Sequence, residues 1–273
     1  MIATIDGFAR PLAIDFSAGV SLAIPLDPNG PQPSFFAGDR AHARPLKNGD
    51  YIGDVAQGGS CNADVLEFTP HCHGTHTECV AHLDRSAGHV LDIIDQRPCL
   101  ACLVTLEGTP PASSEEHYPV ELDDAERLLT RRELEEKLAA VEIPGALALV
   151  VRTLPNPPAK KFRDYATEPA YPLFSTEAME WLAGSQFMHL LVDTPSLDRA
   201  QDGGKLSNHR HWWGLEGAPD NTPEPWRRSV TEMIFVPGSQ GDGLYWLQLG
   251  LQPLMADATS SQPVLYPVTE NSP

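Results

Sequence analysis

His71-Cys72-His73-Gly74-Thr75-His76-Thr77-Glu78-Cys79-Val80-Ala81-His82 gathers four of the chain's ten histidines, a glutamate and two cysteines into one short stretch. These are the side chains that bind divalent metals through imidazole nitrogen, thiolate sulfur or carboxylate oxygen. One histidine alone reads as a loop cap or polar filler, whereas the whole cluster reads as a metal or catalytic site. On an extended backbone Cys72, His76, Glu78 and His82 share a parity and point to one face. Ten extended residues nevertheless span about 33 Å, far more than a metal site. The chain must therefore bend, and Gly74 is the residue that permits it. The zinc-helix pattern HExxH is excluded, because no glutamate follows a histidine in that register.

Around this segment the chain mixes strand and helix patterns. Cys99 to Leu106, Ala146 to Thr153 and Phe187 to Asp193 are short apolar runs that predict strands. Tyr245, Leu247, Leu249 and Leu251 alternate with Trp246 and Gln248, the period-2 pattern of another strand. Thr130 to Glu133 reads as a capping box opening a helix whose Leu134 and Leu138 share a face. Ser175 opens a second helix, with Ala178, Met179 and Leu182 as its apolar stripe. Without strict βαβ alternation, the order predicts a mixed α/β fold in preference to a barrel or a doubly wound sheet.

A chain of 273 residues buries a substantial core. Its net charge of -18 repels phosphates and anionic lipid surfaces, so neither nucleic acid nor membrane is an expected partner. No run approaches the about 20 apolar residues that span a bilayer. The first residues lack the basic start and apolar stretch of a signal peptide. Five cysteines without a disulfide-framework spacing suit a reducing compartment, and the expected location is cytoplasmic. The 26 prolines concentrate in connections, read as surface loops within a single domain spanning residues 1–273.

The histidine-rich segment resembles the signature H-x-G-T-H-x-D-x-P-x-H of the cyclase / bacterial-type kynurenine formamidase (arylformamidase) family. Ile14-Asp15-Phe16-Ser17 and Phe36-Ala37-Gly38-Asp39 resemble its N-terminal D-[IL]-S and W-P-G-D blocks. Val192-Asp193-Thr194-Pro195-Ser196-Leu197-Asp198 resembles its D-T-P-S-[VL]-D turn, and Leu206-Ser207-Asn208-His209 its L-x-x-H. Glu232 stands where the family has a late glutamate, ahead of Gly243-Leu244-Tyr245-Trp246-Leu247. In order, the blocks cover roughly residues 12 to 254.

The resemblance implies a mixed-sheet, swivelling β/β/α-type single domain holding two divalent ions, zinc or manganese, and assembling as a homodimer or larger homo-oligomer. By position, His76, Glu78, His209 and Glu232 are implied ligands, with Glu78 in place of the aspartate that bridges the two ions. The first ligand falls on Cys72 by ungapped counting, or on His71 if one residue is inserted, and both readings stand. His82 matches the general acid/base, and Phe36 replaces a tryptophan of the substrate pocket. His73 is the outsider, read as a residue that backs a ligand or anchors the loop. The implied reaction is hydrolysis of a small-molecule aryl formamide or cyclic amide, N-formylkynurenine- or isatin-like, by metal-bound hydroxide. A formamidase of this kind would serve tryptophan catabolism. The alternatives are a metal-dependent cyclase or dehydratase, and a non-catalytic metal- or small-molecule-binding relative.

Cys79-Val80 departs from the family's A-P, and the regions 108–143 and 212–228 look longer than in typical members. Cys99-Leu100-Ala101-Cys102 has CxxC spacing but lies in an apolar strand, which reads as buried thiols. His211-Trp212-Trp213 reads as core packing or loop anchoring in preference to a pocket mouth, and the 193–198 turn as aspartates fixing backbone amides.

Overall fold

The apolar runs become strands whose side chains alternate between two apolar compartments. The computed structural model describes residues 1–6, 11–36, 39–141, 145–168, 170–217 and 224–270. A hairpin of β1 (Ile2–Ile5) and β2 (Leu12–Asp15) comes first. The main strands that follow are β3 (His76–Glu78), β4 (Cys99–Leu106), β5 (Ala148–Thr153) and β6 (His189–Val192). Then come β7 (Ser229–Glu232), β8 (Gly243–Leu251) and β9 (Ala258–Glu270). Strands β4 to β7 run parallel side by side, while β3, β8 and β9 pair antiparallel to their neighbours.

The sheet is mixed, as the sequence predicts, but it also closes into a barrel, which the sequence reading had set aside. Closure comes through β9, which pairs with β8 along one edge and with β3 through Ala258↔Glu78 and Ser260↔His76. Proline cannot donate to a ladder and normally demotes a strand. Pro263 and Pro267 nevertheless sit in β9 opposite Leu249 and Tyr245.

Ala101 and Leu103 of β4, Ala148 and Val150 of β5, Leu191, Leu247 and Leu265 form one cluster within the ring. Their neighbours Leu100, Cys102, Val104, Leu149, Val151 and Leu190 face the opposite way into the larger core. Helices α1 (Arg131–Ala139), α2 (Thr176–Ala183) and α3 (Ser207–Trp212) cover that outer face. Cys99 and Cys102 therefore lie in different compartments, and burial pushes both thiols up to about 12. The CxxC spacing is a coincidence of two packed faces, as expected.

Both predicted helices form with their predicted caps. Thr130 Oγ1 accepts the Glu133 N–H at 3.2 Å, and Ser175 Oγ accepts that of Ala178 at 3.0 Å. The capping box is only half made, because the Glu133 carboxylate turns away to accept the N–H groups of Glu107 and Gly108. Leu134 and Leu138 are buried, worth about 1.5–3 kcal/mol each. Trp212 and Trp213 are buried in the core, as read. The region 108–143 is not all loop: besides α1 it holds Arg127–Leu129, paired in parallel with Pro172–Phe174. Residues 142–143 of that region, and 218–223 of the other long connection, lie outside the described residues. Among the described residues no helix is long and apolar enough to cross a membrane.

Candidate metal centre

Strand β3 presents His76 and Glu78 on one face, because side chains two apart share a pleat side. Thr77 faces the other way, where its hydroxyl meets those of Thr231 and Ser261, both at 2.8 Å. Strand β7 sets Glu232 directly opposite His76, bringing Glu232 Oε2 to 3.3 Å from His76 Nε2. Helix α3 contributes His209, whose Nε2 lies 2.8 Å from Glu78 Oε1 and 3.4 Å from Glu232 Oε1. Gly74 has φ 81° and turns the chain between the helical turn Pro70–Cys72 and β3. An added Cβ there would meet nothing closer than 3.8 Å, so backbone conformation and not space selects glycine. The turn brings His71 back over the strand, with Nδ1 3.1 Å from Glu78 Oε2. The following turn, Val80–His82, sets His82 Nδ1 3.9 Å from the same oxygen.

Neighbouring groups fix which ring nitrogens carry lone pairs. His76 Nδ1–H donates to the Gly74 carbonyl at 3.1 Å, and His209 Nδ1–H to Asp198 Oδ2 at 2.7 Å. Each leaves an Nε2 lone pair facing carboxylate oxygens, the orientation that backing groups impose on metal-ligating histidines. Asp198 also accepts the N–H groups of Asn208 and His209, as the reading of that turn anticipated. Glu232 Oε1 accepts the Leu197 N–H, tying the same turn to β7. The residues after Glu232 and before α3, Met233 and Leu206, have φ 52° and 48°. Each left-handed residue costs about 1–2 kcal/mol, and such strain concentrates at functional sites.

The donor set fits divalent cations. His76 Nε2 and Glu78 Oε2 are buried without a hydrogen-bond partner. Such atoms are costly unless a cation or proton satisfies them. The His76–Glu232 separation of 3.3 Å is about that of two ligand atoms on a tetrahedral ion with bonds of 2.0–2.1 Å. His71, His76 and Glu78 form one group of converging donors, and Glu78, His209 and Glu232 a second, with Glu78 in both.

The electrostatics call for positive charge. Burial works to raise the Glu78 carboxyl, but His209 and the other imidazoles hold it well below its ordinary value. Burial and the Glu78 charge work to raise Glu232, and the nearby imidazoles of His209 and His76 keep it low. Burial opposes a charge on His71, yet the carboxylates of Asp257 and Glu78 draw its pKa up to about 10. His209 is raised well above the ordinary value against the same opposition, by Glu78 and Asp198. A pocket that pulls protons onto imidazoles is one that favours cations.

The sequence profile of the Cyclase family matches residues 20–199, more than half of the chain. The chain belongs to the Cyclase family. Isatin hydrolase A from Labrenzia aggregata, bound to benzyl benzoate, is similar in structure with a TM-score of 0.61 at 14% identity. The match covers 91% of this chain and 93% of that one. Isatin hydrolase A from Ralstonia solanacearum gives a TM-score of 0.59 at 15% identity, over 92% of both chains. A predicted metal-dependent hydrolase from Bacillus stearothermophilus gives 0.55 at 14%, over 91% of this chain and 97% of that one. These likenesses establish the shared fold. The search of curated proteins returned no match.

In this Cyclase family chain the expected His71, His76, Glu78, His209 and Glu232 converge, with His82 beside them. Cys72 does not: among the described residues its sulfur joins none of the donor groups. The turn Pro70–Cys72 breaks the extended parity that aligned Cys72 with Glu78, and His71 takes the position instead. His73 is a loop anchor, as read: its Nδ1 accepts the Thr69 N–H at 3.0 Å and its Nε2–H donates to the Asp39 carbonyl at 2.9 Å. A cavity of about 290 Å³ opens over the donors, lined by His71, Glu78, His82, His209 and Glu232, with Phe35 and Phe36 also on its wall. Phe36 is largely exposed, its ring 6.2 Å from that of Phe35. Ala37 and Gly38 of its motif lie outside the described residues. A larger cleft of about 1090 Å³ around Lys160 and Arg163 contains none of the donors. Sequence reasoning missed Asp257, whose carboxylate lies 2.9 Å from His71 Nε2 and 3.4 Å from His82 Nδ1.

Proposed function

We propose that this Cyclase family chain is a metal-dependent amidohydrolase that cleaves an aryl formamide or cyclic aryl amide, of which N-formylkynurenine and isatin are the test cases. The carrying observation is the convergence of buried, lone-pair-bearing His76 and His209 with Glu78, Glu232 and His71 beneath a cavity. His71, His76 and Glu78 would hold one cation, and Glu78, His209 and Glu232 a second. A divalent cation bound there supplies a polarised carbonyl and an acidified water. The structural likeness to isatin hydrolases supports the choice of substrate class.

The chain's own residues do the rest. His82 turns Nδ1 toward Asp257 and Glu78, which leaves Nε2 as its proton-transfer nitrogen. An imidazole has one nitrogen that can take a proton from water and return it to a leaving group. Hydrolysis adds the oxygen of water to the carbonyl carbon, the C–N bond breaks, and the proton held by His82 passes to the leaving nitrogen. Phe35 and Phe36 line the cavity and would pack against an aryl group. The cavity of about 290 Å³ suits a one- or two-ring substrate.

The test is metal analysis of the purified protein, combined with turnover of N-formylkynurenine and of isatin before and after chelation. The expected outcome is bound zinc or manganese, with hydrolysis of at least one substrate that chelation abolishes. A metal-loaded chain that leaves both intact sinks the hydrolase reading in favour of a cyclase, dehydratase or binding role.

A further inference from the structure

The strand that closes the barrel also delivers a carboxylate to the back of the site. Asp257 immediately precedes β9, where Ala258 pairs with Glu78. Its main chain is fixed, since its carbonyl accepts the Cys79 N–H at 3.1 Å and the Cys79 thiol at 3.5 Å. Its side chain is therefore aimed by the sheet and not by a wandering loop. One oxygen, Oδ2, meets both His71 Nε2 at 2.9 Å and His82 Nδ1 at 3.4 Å. The two imidazoles lie against each other at a tilt of 33°, with ring centroids 4.2 Å apart. Asp257 does not line the cavity, so it stands behind the histidines and not before the substrate.

The pair Asp198–His209 has the same form. There a carboxylate takes one ring N–H and leaves the other nitrogen to face Glu78. His71 likewise turns one nitrogen to Glu78 and the other to a carboxylate. Carboxylates that back metal-ligating histidines in this way fix the tautomer and strengthen the ligand.

We infer that Asp257 is a shared positioning residue, which backs His71 toward the metal and orients His82 for proton transfer through a single carboxylate oxygen. The inference rests on the proposed roles of His71 and His82. It couples the two: the group that steadies a ligand also sets which nitrogen of the acid/base is free.

The test compares Asp257→Ala and Asp257→Asn with the parent chain in two assays. In the first, metal-free protein is titrated with Zn²⁺ or Mn²⁺ alone. Asp257→Ala should bind the same number of ions about 10- to 100-fold more weakly, the usual effect of losing such a backing group. Asp257→Asn, which keeps one acceptor oxygen at the same reach, should recover part of that loss. In the second, at saturating metal, Asp257→Ala should lower kcat on isatin or N-formylkynurenine at least tenfold with KM changed less than about twofold. A variant with parent affinity and parent kcat overturns the inference. So does loss of one whole ion from the stoichiometry, which would make Asp257 a ligand. A parent chain that binds neither metal overturns the reading of the site, and the inference falls with it. A parent that binds metal but turns over neither substrate overturns only the hydrolase reading, and the titration still decides Asp257. Should Asp257→Ala fail to fold, the Asp257→Asn titration and thermal melt carry the comparison.

Discussion

Asp198 reaches two backbone amides and one imidazole with a single carboxylate. Replacing it with asparagine keeps the shape but removes the charge that orients His209, so metal affinity should fall about 10- to 100-fold with little change in melting temperature. Titration of the metal-free variant with zinc checks this, and unchanged affinity would show that α3 alone positions His209. Gly74 carries the opposite kind of role, all backbone and no contact. Gly74→Ala should cost about 1–2 kcal/mol, because φ 81° is left-handed and only the conformation is penalised. A thermal melt reads that as a fall of a few degrees for a chain of this size. At this scale the 71–82 segment was legible, because a dense set of donors needs no knowledge of the fold. The choice between His71 and Cys72 was not, since it depends on a helical turn that parity arguments on an extended chain cannot contain. Asp257 was invisible for a related reason. It is an isolated acid between two alanines, and only strand register gives it meaning.

Elements were read best where one local signal sufficed. The strand Cys99–Leu106 and the caps at Thr130 and Ser175 follow from short-range chemistry, and all form as read. Thr130→Ala should therefore destabilise by about 1 kcal/mol, measured by urea unfolding, with no effect on metal binding. What failed was β9, because Pro263 and Pro267 obscure its strand pattern, and with it went the closure of the sheet. The alternating compartments make a chemical prediction of their own. Of the five cysteines only Cys61 is exposed, while Cys72, Cys79 and Cys102 are buried and Cys99 partly so. A thiol reagent should label one site quickly, with the others reacting only on unfolding; rapid labelling of Cys99 and Cys102 together would contradict the packing.

For the molecule as a whole, pH acts through a histidine that belongs to none of the donor groups. His189 is buried on β6, hydrogen-bonded to Ser229 Oγ, and burial pushes its pKa down to about 4 from an ordinary 6.5. Between those values the unfolded chain takes up a proton that the folded chain refuses. Its contribution to stability is thus complete above about pH 6.5 and lost as the pH falls toward 4, about 3 kcal/mol in all. Urea unfolding at pH 7 and pH 4.5 should show a smaller acid loss in His189→Gln than in the parent, and parallel losses would clear His189 of the effect. The closing pair of strands carries one more implication. Glu78 and Ala258 stand about 180 residues apart in the chain yet side by side in the sheet. At translation rates of about 5–20 residues per second, the first donors leave the ribosome roughly ten to forty seconds before their closing strand exists. A nascent chain in that interval shows its histidines to the cell without the wall that confines them, so the full donor geometry arrives only once that strand has been made.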